Sequence, residues 1–399
     1  MMVIRGDRCS RDALDSIAGQ HLRSRWQSRR VQFVQAASVV WLPWLVARLV
    51  VLASLVLAKY EVRHFHITNS KAILESRSGL LGVDASWYQT IAAHGYHSLP
   101  RAALRFFPLL PLLARGAFDV THLSVGTCVL VIVNIASFMT TVGIYLFVVA
   151  ELGDVIVANR CVWLISVAPP AFILVMGYSE SIFMGLSILC FYHLRRKNWW
   201  WAALFGFLAA TARPLGCLLV IPALVETIRQ GSNGSIRERA GRVVAILAPA
   251  AGMLAFLSWV QVEFGNFFLP LKIQQQSGHH GGITNPVSTL HHSIAGLLGG
   301  NHIGTGLHLP WVLVSVAILV VSFRKLPLSY SLFSLAVLLA ALSGSNLESF
   351  ERYAFSAFPL VIAGSTLLRS HRVSVAILIG CGAGMLGYAL LTFLGAYVP

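Results

Sequence analysis

Residues 23–57 read RSRWQSRRVQFVQAASVVWLPWLVARLVVLASLVL. Four arginines crowd the first eight positions, and between 34 and 57 the only charge is Arg48. An apolar run of roughly 20 residues is long enough to cross the hydrocarbon core of a bilayer as a helix. The basic flank predicts that the N-terminus stays in the cytoplasm, because positive clusters are retained on that side. Residues 1–33 therefore read as a cytoplasmic basic N-terminus. They do not read as a cleavable leader, since the apolar run behind them is span-length.

The same imbalance holds throughout the chain. Of 399 residues, 56% are hydrophobic and 11% charged, whereas soluble domains carry about a quarter charged residues. Mean hydropathy is +0.73. The net charge of +15 would suggest nucleic acid in a soluble protein. Here the basic residues form short clusters between apolar runs, which points to anionic lipid headgroups and the positive-inside rule instead. No polar domain carries a basic patch interleaved with aromatics, so nucleic acid is not an expected partner. The six cysteines are scattered and form no CxxC pair, which argues against a disulfide framework or a zinc site.

Further spans follow at 123–150, 161–176 and 182–194, the last closed by Arg195-Arg196-Lys197. The next basic marker is 229–242, and the apolar stretch between the two is broken by Arg213-Pro214. That stretch is too long for one span and short for two. It predicts two short helices (199–211 and 215–227) turning at Arg213-Pro214 inside the membrane, where irregular backbone survives only if it lines a cavity or is buried in protein. Spans at 243–263, 308–323, 328–344, 353–368 and 373–396 complete the chain, with Arg324-Lys325, Arg369 and Arg372 as cytoplasmic markers. The expectation is an all-α polytopic membrane protein of about 10–12 transmembrane or half-spanning helices. Residues 34–399 form one domain, with outer loops at 59–122 and 264–307.

This topology gathers the unusual polar residues on the outer side. The first loop contains LLGVDASWYQTIAAHGYHSLPRAALRFFPLLPLLAR, residues 80–115. Asp84 precedes a helix-like stretch and could serve only as its N-cap. Trp87, Tyr88 and Tyr96 could be no more than an interfacial aromatic belt. Glu180 stands at the outer end of a span, Arg213 in the hairpin, and Glu348 to Tyr353 at the last outer turn. The second loop holds Lys272, Gln274 to Gln276 and the histidines 279, 280, 291, 292, 302 and 308. Adjacent histidines lack helical i, i+4 ligand spacing and no carboxylate lies among them, so no metal site is expected. A carboxylate able to accept a proton, surrounded by cations able to hold an anion, suits transfer of a sugar from a lipid phosphate. No glycine-rich nucleotide loop is present.

These stretches together resemble the PIG-V family of GT-C glycosyltransferases, the GPI mannosyltransferase 2 type and its bacterial relatives. The family's W-D-x-x-x-Y-x-x-I-A-x-x-G-Y pattern is matched by Asp84, Tyr88, Ile91, Ala92, Gly95 and Tyr96, and its F-F-P-L-x-P-L-L by Phe106 to Leu113. Its S-E-S-x-F is similar to Ser179 to Phe183, its hairpin arginine to Arg213, and its R-Y-x-x-x-x-F-P to Arg352 through Pro359. Phe264-Gly265-Asn266 is similar to a further segment, with its proline displaced to Pro270. Val83 departs from the pattern, which has an aromatic residue before the aspartate.

The resemblance implies a GT-C-type bundle in the plasma membrane with an extracytoplasmic site. It implies a mannosyltransferase that uses a polyprenyl-phosphate sugar donor and a lipid or glycan acceptor. Asp84 would be the general base of an inverting transfer, with Arg213, Lys272 and Arg352 holding phosphate. Glu180 would bind acceptor hydroxyls or orient a cation, and Trp87, Tyr88, Tyr96 and Tyr353 would contact substrate. No cofactor is implied, and a divalent ion is left open. Two other readings are a flippase or transporter for a polyprenyl-linked lipid and a degenerate scaffold subunit. The first predicts functional charges in both leaflets and internal repeats, neither of which the sequence displays.

Overall fold

The apolar runs fold as helices packed side by side, and their exposed surface is itself apolar. The computed structural model describes residues 7–231, 234–276, 281–300, 305–368 and 370–398, and among them there is no strand. His279, His280, His302 and Arg369 lie outside the described residues. Helix α1 (Asp7–His64) carries the basic flank and the first span as one unit. The expected first outer loop is largely helical: α2 (Ser70–Ser78), α3 (Asp84–His94) and α4 (Leu109–Thr121). Asn69 caps α2 by accepting from the Lys71 and Ala72 amides, and α3 buries Ala85, Tyr88, Ile91 and Ala92 against its neighbours. Polar composition marked this stretch as a loop, but local caps and an apolar face turn it into packed helices.

Helices α5 (Val125–Leu152) and α6 (Val155–Val167) are separated by Gly153, left-handed at φ +65°, and by Asp154, which caps α6 through the Ile156 and Val157 amides. The Pro169-Pro170 pair ends α6, and the chain continues as a tight 3-10 segment, Pro169–Leu174, because proline cannot donate to the preceding turn. Then come α7 (Glu180–Arg195), α8 (Trp199–Ala212), the 3-10 segment Pro214–Leu219 and α9 (Val220–Arg229). Helix α10 (Ile236–Phe264) leads to the second loop, which contains α11 (Leu269–Gln274) and α12 (Pro286–Leu298). The remainder is α13 (Thr305–Lys325), α14 (Leu328–Leu342), α15 (Phe350–Ser356), α16 (Phe358–Ser365) and α17 (His371–Phe393).

Five helices among the described residues are long and apolar enough to cross a membrane: Val31–His64, Val125–Leu152, Ile236–Phe264, His308–Lys325 and His371–Phe393. Only 17% of the most apolar window of the last is buried, and Val34, Leu49, Val56 and Ile379 are each more than half exposed. So much open aliphatic surface is stable in lipid and not in water. The protein is an all-α polytopic membrane protein.

Ion pairs fix how the shorter helices run. Arg195, at the end of α7, binds Glu151 of α5 at 2.8 Å and Glu226 of α9 at 3.4 Å. Tyr330 and Ser329 of α14 donate to the same two carboxylates at 3.0 and 2.7 Å. At the start of α7, Glu180 instead meets Arg213, which follows α8. The chain therefore travels along α8 to the Glu180 end and returns along α9 to the Arg195 end, forming the expected hairpin. Gly216 makes the reversal possible, because a Cβ there would lie 2.3 Å from the Ala209 carbonyl carbon. The 14 residues of α8 rise about 21 Å, short of the roughly 30 Å hydrocarbon core, so α8 by itself is too short to cross it.

Candidate active site

Four charged side chains from four separate elements form one chain of ion pairs. Arg352 on α15 donates from Nη1 to Asp84 Oδ2 at 2.7 Å, and its Nε lies 3.3 Å from Glu180 Oε1. Arg213 Nη1 contacts the same Glu180 oxygen. The order is Asp84–Arg352–Glu180–Arg213. Glu180 is 0% exposed, Arg213 and Arg352 6% each, while the Asp84 side chain keeps 20% of its surface. Two carboxylates against two guanidiniums leave the buried part formally neutral, the condition under which charges survive burial.

Local structure explains each placement. Glu180 is the first residue of α7, where the helix dipole favours a carboxylate. Gly177 admits the close approach of α3, since a Cβ there would lie 3.2 Å from the Ala85 Cβ and 2.9 Å from Val129 Cγ1. Arg213 sits in extended backbone between α8 and the 3-10 segment. Ser349, left-handed at φ +62°, opens α15 and turns Arg352 inward.

Asp84 is not a helix cap. The N-cap position of α3 belongs to Val83, and no side chain caps that end, so the Asp84 carboxylate is free to reach Arg352. Val83 holds φ +50° and its amide donates to Glu75 Oε2 at 2.9 Å. A β-branched residue there stores strain on the order of 1–3 kcal/mol. Val83→Gly is expected to stabilise the protein by about 1 kcal/mol after the entropy of glycine is subtracted. Thermal unfolding in detergent checks this, and an unchanged or lower Tm would show that the backbone is not strained.

A cavity of about 520 Å³ opens beside the network, within the size range of small-molecule sites. Asp84, Tyr88, Arg213, Arg352 and Tyr353 line it, together with Arg105, Phe106, Gln274, Gln275 and Glu348. The Arg213 and Arg352 guanidiniums each lie 5.5 Å from the Tyr353 ring centroid. The Tyr88 hydroxyl pairs with Ser179 Oγ at 2.7 Å. Burial pushes the Tyr88 phenol up to about 12, partly offset by the charge of Arg213, so it stays a protonated donor.

The remaining sequence-selected residues stand back from the cavity. Glu180 lies behind its wall, linking two arginines. Trp87 stacks on Phe106 with ring centroids 5.7 Å apart. The Tyr96 hydroxyl donates to the Phe106 carbonyl at 2.7 Å, and its ring packs on Phe256 and Trp259. Both therefore fix the position of Phe106. Lys272 is exposed on α11 and is absent from the cavity wall, whereas its neighbours Leu271 and Gln274 line it. Arg105 is the residue that the sequence reading passed over. Its only signal was its position one residue before the Phe106-Phe107-Pro108 stretch. No group of three or more histidine, cysteine or acidic side chains that could hold a metal occurs among the described residues.

Fold and site together define a polytopic membrane protein with a charged cavity at one end of its helices. No protein-family model matches the sequence, and no curated protein matches it. Among solved structures the chain is similar to the Archaeoglobus fulgidus oligosaccharyltransferase in its complex with zinc and sulfate, at 14% identity and a TM-score of 0.42. The match covers 74% of this chain and 45% of that one, so this chain spans less than half the length of that neighbour.

Proposed function

We propose that the protein is a GT-C-type glycosyltransferase that moves a hexose, mannose by its sequence resemblance, from a polyprenyl-phosphate donor to a lipid or glycan acceptor. The observation that carries this reading is a partly exposed carboxylate, Asp84, bonded to Arg352 on the wall of a cavity that two further arginines share. An acceptor hydroxyl attacks the anomeric carbon and its proton passes to Asp84. The bond from that carbon to the phosphate oxygen breaks, and attack from the opposite face inverts the configuration. Arg352 and Arg213 stabilise the departing phosphate electrostatically. Arg352 bonds to Asp84, so a donor phosphate would compete for it and free the carboxylate to accept the proton. The site would face away from the cytoplasm in the plasma membrane, following the basic-cluster topology.

The purified protein, given radiolabelled polyprenyl-phosphate mannose and a membrane lipid extract, is expected to label an acceptor lipid or glycan. Absence of label with every acceptor, together with accelerated movement of the polyprenyl lipid across vesicles, would replace this reading with that of a flippase.

A further inference from the structure

Arg105 differs from the other two cavity arginines in what it touches. It lies on the 3-10 turn Arg101–Arg105, half-buried, with its guanidinium carbon 5.2 Å from the Phe106 ring centroid. Its Nε donates to the Ala102 carbonyl at 3.3 Å. Among the described residues its two terminal nitrogens have no hydrogen-bond partner and no carboxylate lies within ion-pair range. Arg213 and Arg352, in contrast, are committed to Glu180 and Asp84. Arg105 still feels the same site. Burial lowers its pKa, the nearby Asp84 charge raises it, and Arg352 lowers it. A bound anion would offset the cost of that burial by favouring the charged guanidinium.

The turn that carries Arg105 is pinned at its end by the Tyr96 hydroxyl on the Phe106 carbonyl, 2.7 Å away. Helix α11 packs against this turn. Its Gln274 and Gln275 line the same cavity, and their side-chain amides make no hydrogen bond among the described residues. Uncommitted donors thus face one space from two elements.

We propose that Arg105, facing Gln274 and Gln275 across the cavity, forms the phosphate subsite for the polyprenyl carrier, and that Lys272 takes no part. This rests on the glycosyl-transfer reading. A sugar–phosphate diester carries one negative charge. When the bond from the anomeric carbon to its oxygen breaks, the electron pair stays on that oxygen and the carrier phosphate approaches two charges. The Asp84–Arg352–Glu180–Arg213 chain is neutral until Asp84 takes the proton, so the charge that the donor already carries when it binds needs a cation that is not neutralised. Arg105 supplies it, and its planar fork can engage two phosphate oxygens.

The test is binding of radiolabelled undecaprenyl phosphate to the full-length protein in detergent, with undecaprenol as the neutral comparison. Arg105→Ala is expected to weaken phosphate binding about 10–100-fold while leaving undecaprenol binding unchanged. Arg105→Lys should recover part of the loss and Lys272→Ala should bind as the wild type does. Thermal unfolding of each variant shows whether the fold is intact. Wild-type affinity in Arg105→Ala, loss of binding in Lys272→Ala instead, or equal wild-type binding of phosphate and alcohol would each overturn the subsite. Sugar transfer measured on the same samples separates the two ideas. A wild type that binds undecaprenyl phosphate through Arg105 but transfers no sugar overturns the glycosyltransferase reading and leaves the subsite standing.

Discussion

Asp84→Asn is expected to lower the rate of sugar transfer by about 10²–10⁴-fold, the usual contribution of a positioned general base. The substitution keeps the shape of the side chain and an oxygen able to accept from Arg352, which lies 2.7 Å from the native carboxylate. It removes the basicity. Arg352 retains Glu180 at 3.3 Å, so its buried charge stays compensated and the fold should survive. Carrier-phosphate binding should therefore be retained or strengthened, because one competitor for Arg352 is weakened. The expected signature is a fall in kcat with KM unchanged or lower, the pattern of an interaction used in the transition state. Initial rates with radiolabelled polyprenyl-phosphate mannose, alongside thermal unfolding, measure both halves. A mutant with the wild-type rate would mean that another group takes the proton.

Glu180→Ala should have the largest effect on stability, about 3–5 kcal/mol of destabilisation, because it strands charges that are buried with it. Arg213 and Arg352 are each 6% exposed; Arg213 bonds to Glu180 Oε1, and Arg352 Nε lies within ion-pair range of the same oxygen at 3.3 Å. Arg352 would keep Asp84 as a partner, but Arg213 has no other carboxylate within ion-pair range among the described residues. Glu180→Gln should be milder, since an amide oxygen still accepts hydrogen bonds. Adding Arg213→Ala to Glu180→Ala should recover part of the loss, because the stranded charge then disappears, and the double-mutant cycle reads that coupling. Denaturant unfolding in detergent measures all four proteins. A Glu180→Ala protein as stable as the wild type would mean that water reaches the two arginines and that the network does not hold the helices together.

The two polar clusters also differ in what they leave open. At the Arg195 end, Glu151 and Glu226 are enclosed by Arg195, Tyr330 and Ser329, and these bonds tie α5, α7, α9 and α14 together. At the Glu180 end, the same kinds of residue border a cavity that holds Arg105 and the exposed side of Asp84. Position along α7 separates the two ends by about 24 Å, the rise of its 16 residues. The first cluster braces the helices, and the second faces a cavity of about 520 Å³.

Much of this was legible in the amino-acid sequence. Apolar runs set the helices, since hydrophobicity over a span-length window needs no knowledge of neighbours. The break at Arg213-Pro214 follows from proline chemistry alone, whereas the run 161–176, which reads as one span, is divided at Pro169-Pro170. The hairpin follows from the distance between two basic markers. The sequence also singled out Asp84, Tyr88, Arg213, Arg352 and Tyr353, which the fold gathers around one cavity.

Only the tertiary structure decided which charge meets which. Asp84 and Arg352 are 268 positions apart, and pairing at that distance depends on how whole helices dock. It also placed Arg105 on the cavity wall and Lys272 off it. Each residue along a helix turns about 100° around its axis, so Leu271 lines the cavity while its neighbour Lys272, exposed, does not. Arg105 turns inward because Tyr96 and the packing of α11 fix the turn that carries it. A sequence records how apolar a segment is along its length. Which way each helix is rotated is set by what packs against it, and that rotation decides which side chains line the cavity.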